Sequence, residues 1–85
     1  MIREPVNSSN VVGIGWEGQA LVDGREARVG DLEVEFASGA VYRYFGISYY
    51  RYRAVVDAAS VGRALRELVT HTDPPFAYER VKEEV

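Results

Sequence analysis

One stretch, residues 31–45, constrains the fold more than any other. In Asp31-Leu32-Glu33-Val34-Glu35-Phe36 the apolar Leu32, Val34 and Phe36 alternate with Glu33 and Glu35. A period of two marks a half-buried β-strand. Ala37-Ser38-Gly39 supplies a turn, and Ala40-Val41-Tyr42-Arg43-Tyr44-Phe45 returns as a β-branched and aromatic strand. Two registers compete for this hairpin. A two-residue Ser-Gly turn sets Arg43 among Leu32, Val34 and Phe36, where an unpaired guanidinium is costly to bury. A three-residue loop with Gly39 left-handed places Phe36 opposite Ala40, Val34 opposite Tyr42 and Leu32 opposite Tyr44. Glu33 then falls opposite Arg43, a favourable pair worth ~0.2–1 kcal/mol. The second register is the expected one. It makes Tyr42 and Tyr44 core residues rather than ligand platforms.

The rest of the chain is placed against this hairpin. Residues 1–6 read as a loosely held, flexible arm, and Asn7-Ser8-Ser9-Asn10 as a turn cluster. Val11 to Glu17 reads as a strand with Val12, Ile14 and Trp16 on one face. Gly13 and Gly15 share the other face, a flat strip that a helix, another backbone or a ligand ring can approach closely. Asp23-Gly24 inside residues 18–30 signals an inserted hairpin, with a loop as the alternative. Ser48 is placed to cap a helix over 49–58, whose Tyr52, Val55, Val56 and Ala59 recur at core-facing spacing. Ser60 is placed to cap a second helix over 61–70, with Val61, Ala64, Leu65, Leu68 and Val69 on one stripe. Asp73-Pro74-Pro75 ends it, residues 76–81 pack back as an extended tail, and 82–85 fray. The expected fold is a single α+β domain spanning 1–85. A small antiparallel sheet, built on the 31–45 hairpin, is covered on one face by two C-terminal helices.

Composition removes several kinds of chemistry. The chain has no cysteine, hence no disulfide, thiolate nucleophile or Cys-based metal site. His71 is the only histidine, and no set of ligands at metal-binding spacing accompanies it. Ser8 and Ser9 sit in a turn without a base. Glu33 and Glu35 are explained by strand alternation. Gly13-x-Gly15 lacks the third glycine and the helix of a nucleotide loop. No catalytic residue, metal or cofactor is therefore assigned, and the expectation is a non-enzyme. No apolar run reaches the length of a membrane span, and the N-terminal residues lack a signal-peptide core, so a cytoplasmic location is expected.

Charge distribution gives the functional lead. Net charge is −3, yet from Phe36 to Val56 there are three arginines and no acid, together with five of the six tyrosines. A locally basic, aromatic segment in an acidic chain marks a candidate nucleic-acid face. The residues assigned to it are Arg43, Tyr50, Arg51, Arg53, Arg63 and Arg66, with RNA or a single strand as the partner. The first-helix surface, through Tyr50, Arg51 and Arg53, is expected to dominate, with Arg63 and Arg66 extending it. The alternative is a protein-interaction module using the sheet edge or the glycine strip.

In order and spacing these segments resemble the KTSC domain family, named for the C-terminus of some lysyl-tRNA synthetases. Val6-Asn7-Ser8-Ser9-Asn10-Val11 and Ile14-Gly15-Trp16 are similar to its opening motif. Leu32 to Phe36, Ser38-Gly39 and Tyr42-Arg43-Tyr44 resemble its central strand pair. Tyr52, Ala58, Ser60-Val61-Gly62 and Tyr78-Glu79-Arg80-Val81 fit its helices and closing tail. The chain departs from the family at Ser48, where proline is frequent, at Ala64 and Arg66, and in a longer 18–30 connection. Through the synthetase context the resemblance implies RNA binding.

Overall fold

The computed structural model describes residues 1–18 and 29–81. Residues 19–28, which carry most of the expected inserted hairpin or loop, and the expected frayed tail at 82–85 lie outside the described residues. Among those described, five antiparallel strands form one sheet in chain order. They are β1 (Glu4–Pro5), β2 (Val11–Gly18), β3 (Val29–Phe36), β4 (Val41–Ser48) and β5 (Tyr78–Val81). Between β4 and β5 come α1 (Tyr49–Val56) and α2 (Val61–Leu65), the latter continued by a π-helical turn over Arg66–Thr70. The chain is thus an α+β domain, a five-stranded antiparallel sheet with two helices.

The hairpin takes the three-residue register. Leu32 pairs with Tyr44, Glu33 with Arg43 and Val34 with Tyr42. The Phe36 N–H donates to the Ala40 carbonyl at 2.9 Å, and Gly39 has φ +92°, the left-handed value this loop requires. Two bulges alter the strands on either side. β2 shifts register between Val11 and Gly13, so Val12 is an extra residue. A bulge reverses the alternation beyond it. Val11 is therefore 1% exposed and Val12 47% exposed, correcting the expectation that Val12 shares the core face of Ile14 and Trp16. In β4 the expected strand end at Phe45-Gly46-Ile47 is instead a bulge. Gly46 takes φ +75°, and pairing resumes as Ile47 with Gly30 and Ser48 with Val29.

The helices start where their caps predict. The Ser48 hydroxyl accepts from the Arg51 N–H at 3.1 Å, and the Ser60 hydroxyl from the Arg63 N–H at 3.4 Å. The core joins Val11, Ile14, Leu32, Val34, Tyr44 and Ile47 of the sheet to Tyr52, Val55, Val61, Leu65 and Val69 of the helical segments. Burying each large aliphatic chain contributes roughly 1.5–3 kcal/mol. Trp16 ties β2 to this layer. Its indole N–H donates to the Ile47 carbonyl at 3.0 Å, and its ring stacks on Tyr52 at 6.1 Å.

The N-terminal segment is more than a loose arm. Glu4 pairs with Ile14 and Pro5 with Gly13, so β1 extends the sheet beside β2. The glycine strip is where this segment crosses. A Cβ on Gly15 would lie 2.5 Å from the Ile2 carbonyl oxygen, and one on Gly13 would lie 3.1 Å from that of Glu4. The strip expected to face a helix or a ligand thus carries the chain's own first residues. Arg3 then reaches Glu33, which is 4% exposed, and also contacts Glu35 at 3.3 Å. Arg43 holds the second Glu33 oxygen at 2.9 Å. Burial pushes the Glu33 carboxyl up, but hydrogen bonds from Arg43 and Arg3, with their charges, outweigh it and hold it below the usual carboxylate range.

Candidate functional site

The second helical segment presents two exposed arginines. Val61, Leu65 and Val69 are buried, and this inward stripe turns Arg63 and Arg66 outward. At Arg66 the hydrogen bonding widens by one residue, and the His71 N–H donates to the Arg66 carbonyl at 2.8 Å. Such π-turns recur at functional sites because they re-aim side chains within a helix. Here the turn brings Arg66 and His71 to the same concavity.

That concavity is a cleft of about 790 Å³. Arg63, Arg66, Thr70 and His71 border it from the helical segment. Phe36, Tyr42 and Tyr44 border it from the sheet, and the Asn7–Asn10 turn completes it. The turn lies between the hairpin and the start of the second helix. The Asn10 carbonyl accepts from the Ala37 N–H at 2.8 Å, while the Ser8 hydroxyl lies 3.3 Å from where a Cβ of Gly62 would sit.

The electrostatics of this cleft differ from those of the whole chain. The sequence carries 13 acidic residues against 10 lysines and arginines, yet none of the residues bordering the cleft is an aspartate or glutamate. Arg63 pairs with Glu67 at 3.1 Å, but both side chains are largely exposed, and such pairs are weak and easily exchanged. The Arg66 guanidinium has no ion-pair or hydrogen-bond partner among the described residues. The His71 Nδ1 lies 2.8 Å from the Thr70 hydroxyl. Burial, reinforced by the neighbouring Tyr42 and Tyr78 hydroxyls, pushes Tyr44 up, so it stays a neutral hydroxyl.

The six residues assigned from sequence do not form one patch. Arg63 and Arg66 share the cleft; Arg43, Tyr50, Arg51 and Arg53 do not border it. Arg43 alternates with Tyr42 and Tyr44, so it points to the opposite sheet face. There it is held by Glu33 and, at 3.8 Å, by Glu79. Arg51 donates to the Leu68 carbonyl at 2.7 Å and lies over the Phe76 ring at 5.2 Å, so it braces the helices. Arg53 pairs with Asp57 at 2.7 Å and borders a smaller cleft that also contains Glu4 and Asp57. Tyr50 is 73% exposed, its ring edge-on to Tyr49. Tyr44 is a core residue as expected. Tyr42 is only half-buried; its ring meets Phe36 edge-on at 5.9 Å and borders the cleft.

Asn7, Asn10, Phe36, Thr70 and His71 were not legible as site residues. Their shared cue is weak: a polar turn and a lone histidine, each ordinary in isolation. Among the described residues no group of three or more His, Cys, Asp or Glu is placed to hold a metal ion. No described helix is long and apolar enough to cross a membrane.

Comparison with known proteins bears on the fold and the family. A search of curated proteins finds no match. The crystal structure of a KTSC domain protein from Yersinia pestis superposes with a TM-score of 0.77 at 22% identity, covering 95% of this chain and 97% of that one. At this identity the likeness speaks for the fold alone. The model of the KTSC domain matches residues 26–72, more than half of the sequence. This chain therefore belongs to the KTSC domain family.

Proposed function

We propose that this protein is a non-catalytic module that binds RNA or single-stranded nucleic acid, and that it does so through the cleft beside the second helix. In this reading the two helices cover one face of the 31–45 hairpin and the cleft opens along their margin. One observation carries it: in an acidic chain, Arg63, Arg66 and His71 meet half-buried aromatic rings in a cleft bordered by no carboxylate. Cations beside ring faces are the chemistry that holds a phosphodiester strand and its unstacked bases. The first-helix arginines are poorer candidates, because Arg51 is engaged by the Leu68 carbonyl and Arg53 borders a cleft that also holds the carboxylates of Glu4 and Asp57.

Fluorescence anisotropy with a labelled single-stranded RNA tests this. Arg63→Glu/Arg66→Glu is expected to weaken binding by about tenfold or more, whereas Arg53→Glu leaves it within about twofold. Equal binding by the wild type and the double variant would place the contact elsewhere. A second reading, a protein-interaction module, is favoured by the outer edge of β5. This strand ends the sheet, is exposed along most of its length, and leaves Tyr78 62% exposed. Absence of RNA binding at low salt would put that reading first.

A further inference from the structure

The cleft is chemically divided by element. Its two arginines, Arg63 and Arg66, and its imidazole, His71, all come from the helical segment at 61–71. Its neutral amides and hydroxyls come chiefly from the Asn7–Asn10 turn, and its rings from β3 and β4. A volume of about 790 Å³ falls in the range of pockets that enclose one small organic ligand, ~300–1,000 Å³. A duplex keeps its bases stacked inside, so it could offer this cleft only its rim.

Resting on the nucleic-acid reading, we propose that the cleft is a subsite for one nucleotide unit of a single strand. The phosphate sits on Arg63, Arg66 and His71. The base lies against the exposed parts of Phe36 and Tyr42. Carboxamide groups of Asn7 and Asn10, which both donate and accept, meet its polar edge. Arg66 is the main phosphate contact, because no other group in the described residues engages its guanidinium. The neutral Tyr44 hydroxyl can donate to the same phosphate without opposing charge. Two consequences separate this site from a diffuse basic surface. A free mononucleotide binds at the same place as the strand, and neither of its halves alone reproduces that binding.

The test is a two-dimensional NMR titration of the intact wild-type protein with four probes. They are the ribonucleoside 5′-monophosphates, the corresponding nucleosides, inorganic phosphate, and a short single-stranded RNA. The expected result is that at least one monophosphate, at millimolar concentration, shifts the amides of Asn10, Tyr42 and Arg66 and displaces the RNA. The nucleoside and inorganic phosphate should each bind at least about fivefold more weakly, and Arg66→Gln should lower monophosphate affinity by a similar factor. If RNA binds and no monophosphate shifts these amides, the subsite is refuted while the broader reading stands. If inorganic phosphate binds as well as the monophosphates, the cleft is a simple anion site and the proposal fails. If neither RNA nor any monophosphate binds, both the subsite and the nucleic-acid reading fall.

Discussion

Replacing Gly15 by alanine should destabilise the full chain and stabilise one that lacks its first three residues. In the full chain the new Cβ would lie 2.5 Å from the Ile2 carbonyl oxygen and 3.1 Å from its carbon. Both are backbone atoms, so no side-chain rotation relieves the clash, and the segment must lift from the strip. Lifting it breaks the two-residue β1 pairing and withdraws Arg3 from the buried Glu33 carboxylate. A hydrogen bond to a charged group contributes about 1.5–3 kcal/mol, which sets the expected loss. For a domain of this size that corresponds to a fall in Tm of roughly 6–24 °C. Once residues 1–3 are removed, the three atoms nearest that Cβ, all in Met1 and Ile2, are gone, and the φ of Gly15 lies outside the left-handed region. Alanine then only restricts the unfolded chain, a gain of about 0.4–1 kcal/mol. Urea unfolding of the four proteins, wild type and Gly15→Ala with and without residues 1–3, reads both effects as shifts in midpoint at unchanged slope. An equal cost of Gly15→Ala in both backgrounds, or no cost in either, would refute the placement of the segment on the strip.

Acid should release the same clamp. Because the Glu33 carboxyl is held below its unfolded value, its contribution is present in full above the ordinary carboxylate range and is lost as pH falls through the lowered folded value. Glu33→Gln should flatten that part of a stability profile measured by urea midpoints across acid pH, and an unchanged profile would count against the clamp. Tyr44→Ala should cost about 3–5 kcal/mol in chemical denaturation, as for other buried aromatic rings, and a near-wild-type midpoint would show the hairpin register to be wrong. Arg51→Ala should lower Tm by several degrees, since it removes the bond to Leu68 and the cation on Phe76, while leaving RNA affinity nearly unchanged. A variant with wild-type Tm and lost RNA binding would return the first helix to the site.

The parts of this fold that sequence discloses are those decided locally. The hairpin register follows from a contest between burying Arg43 and pairing it with Glu33, and the structure resolves it in favour of the pair. Ser48 and Ser60 cap their helices because the capping bond spans three residues. What sequence conceals depends on distant partners. Gly13 and Gly15 announce a close approach, but nothing nearby says that Met1 to Glu4 makes it. Arg51 looks free on a helical wheel, yet its acceptor is Leu68, seventeen positions away. The bulge at Val12 reverses a pattern that simple alternation would continue. The cleft is the clearest case. It is bordered by the Asn7–Asn10 turn, three aromatic residues of the hairpin and a π-turn, segments separated by up to about sixty residues. Charge density along the chain points to residues 36–56, whereas in three dimensions the arginine of the cleft that has no partner among the described residues is Arg66.

The most direct measurement of the central claim is the salt dependence of single-stranded RNA binding. Each phosphate neutralised on a single strand contributes a slope of about −0.7 in log K against log[salt]. With the one phosphate of the cleft held by Arg63 and Arg66 together, the wild type should show a slope of about −0.7. The Arg63→Gln/Arg66→Gln variant should bind weakly with a slope near zero. A wild type that binds no RNA at low salt, or a variant that keeps the wild-type slope, would contradict the assignment of this cleft as the nucleic-acid site.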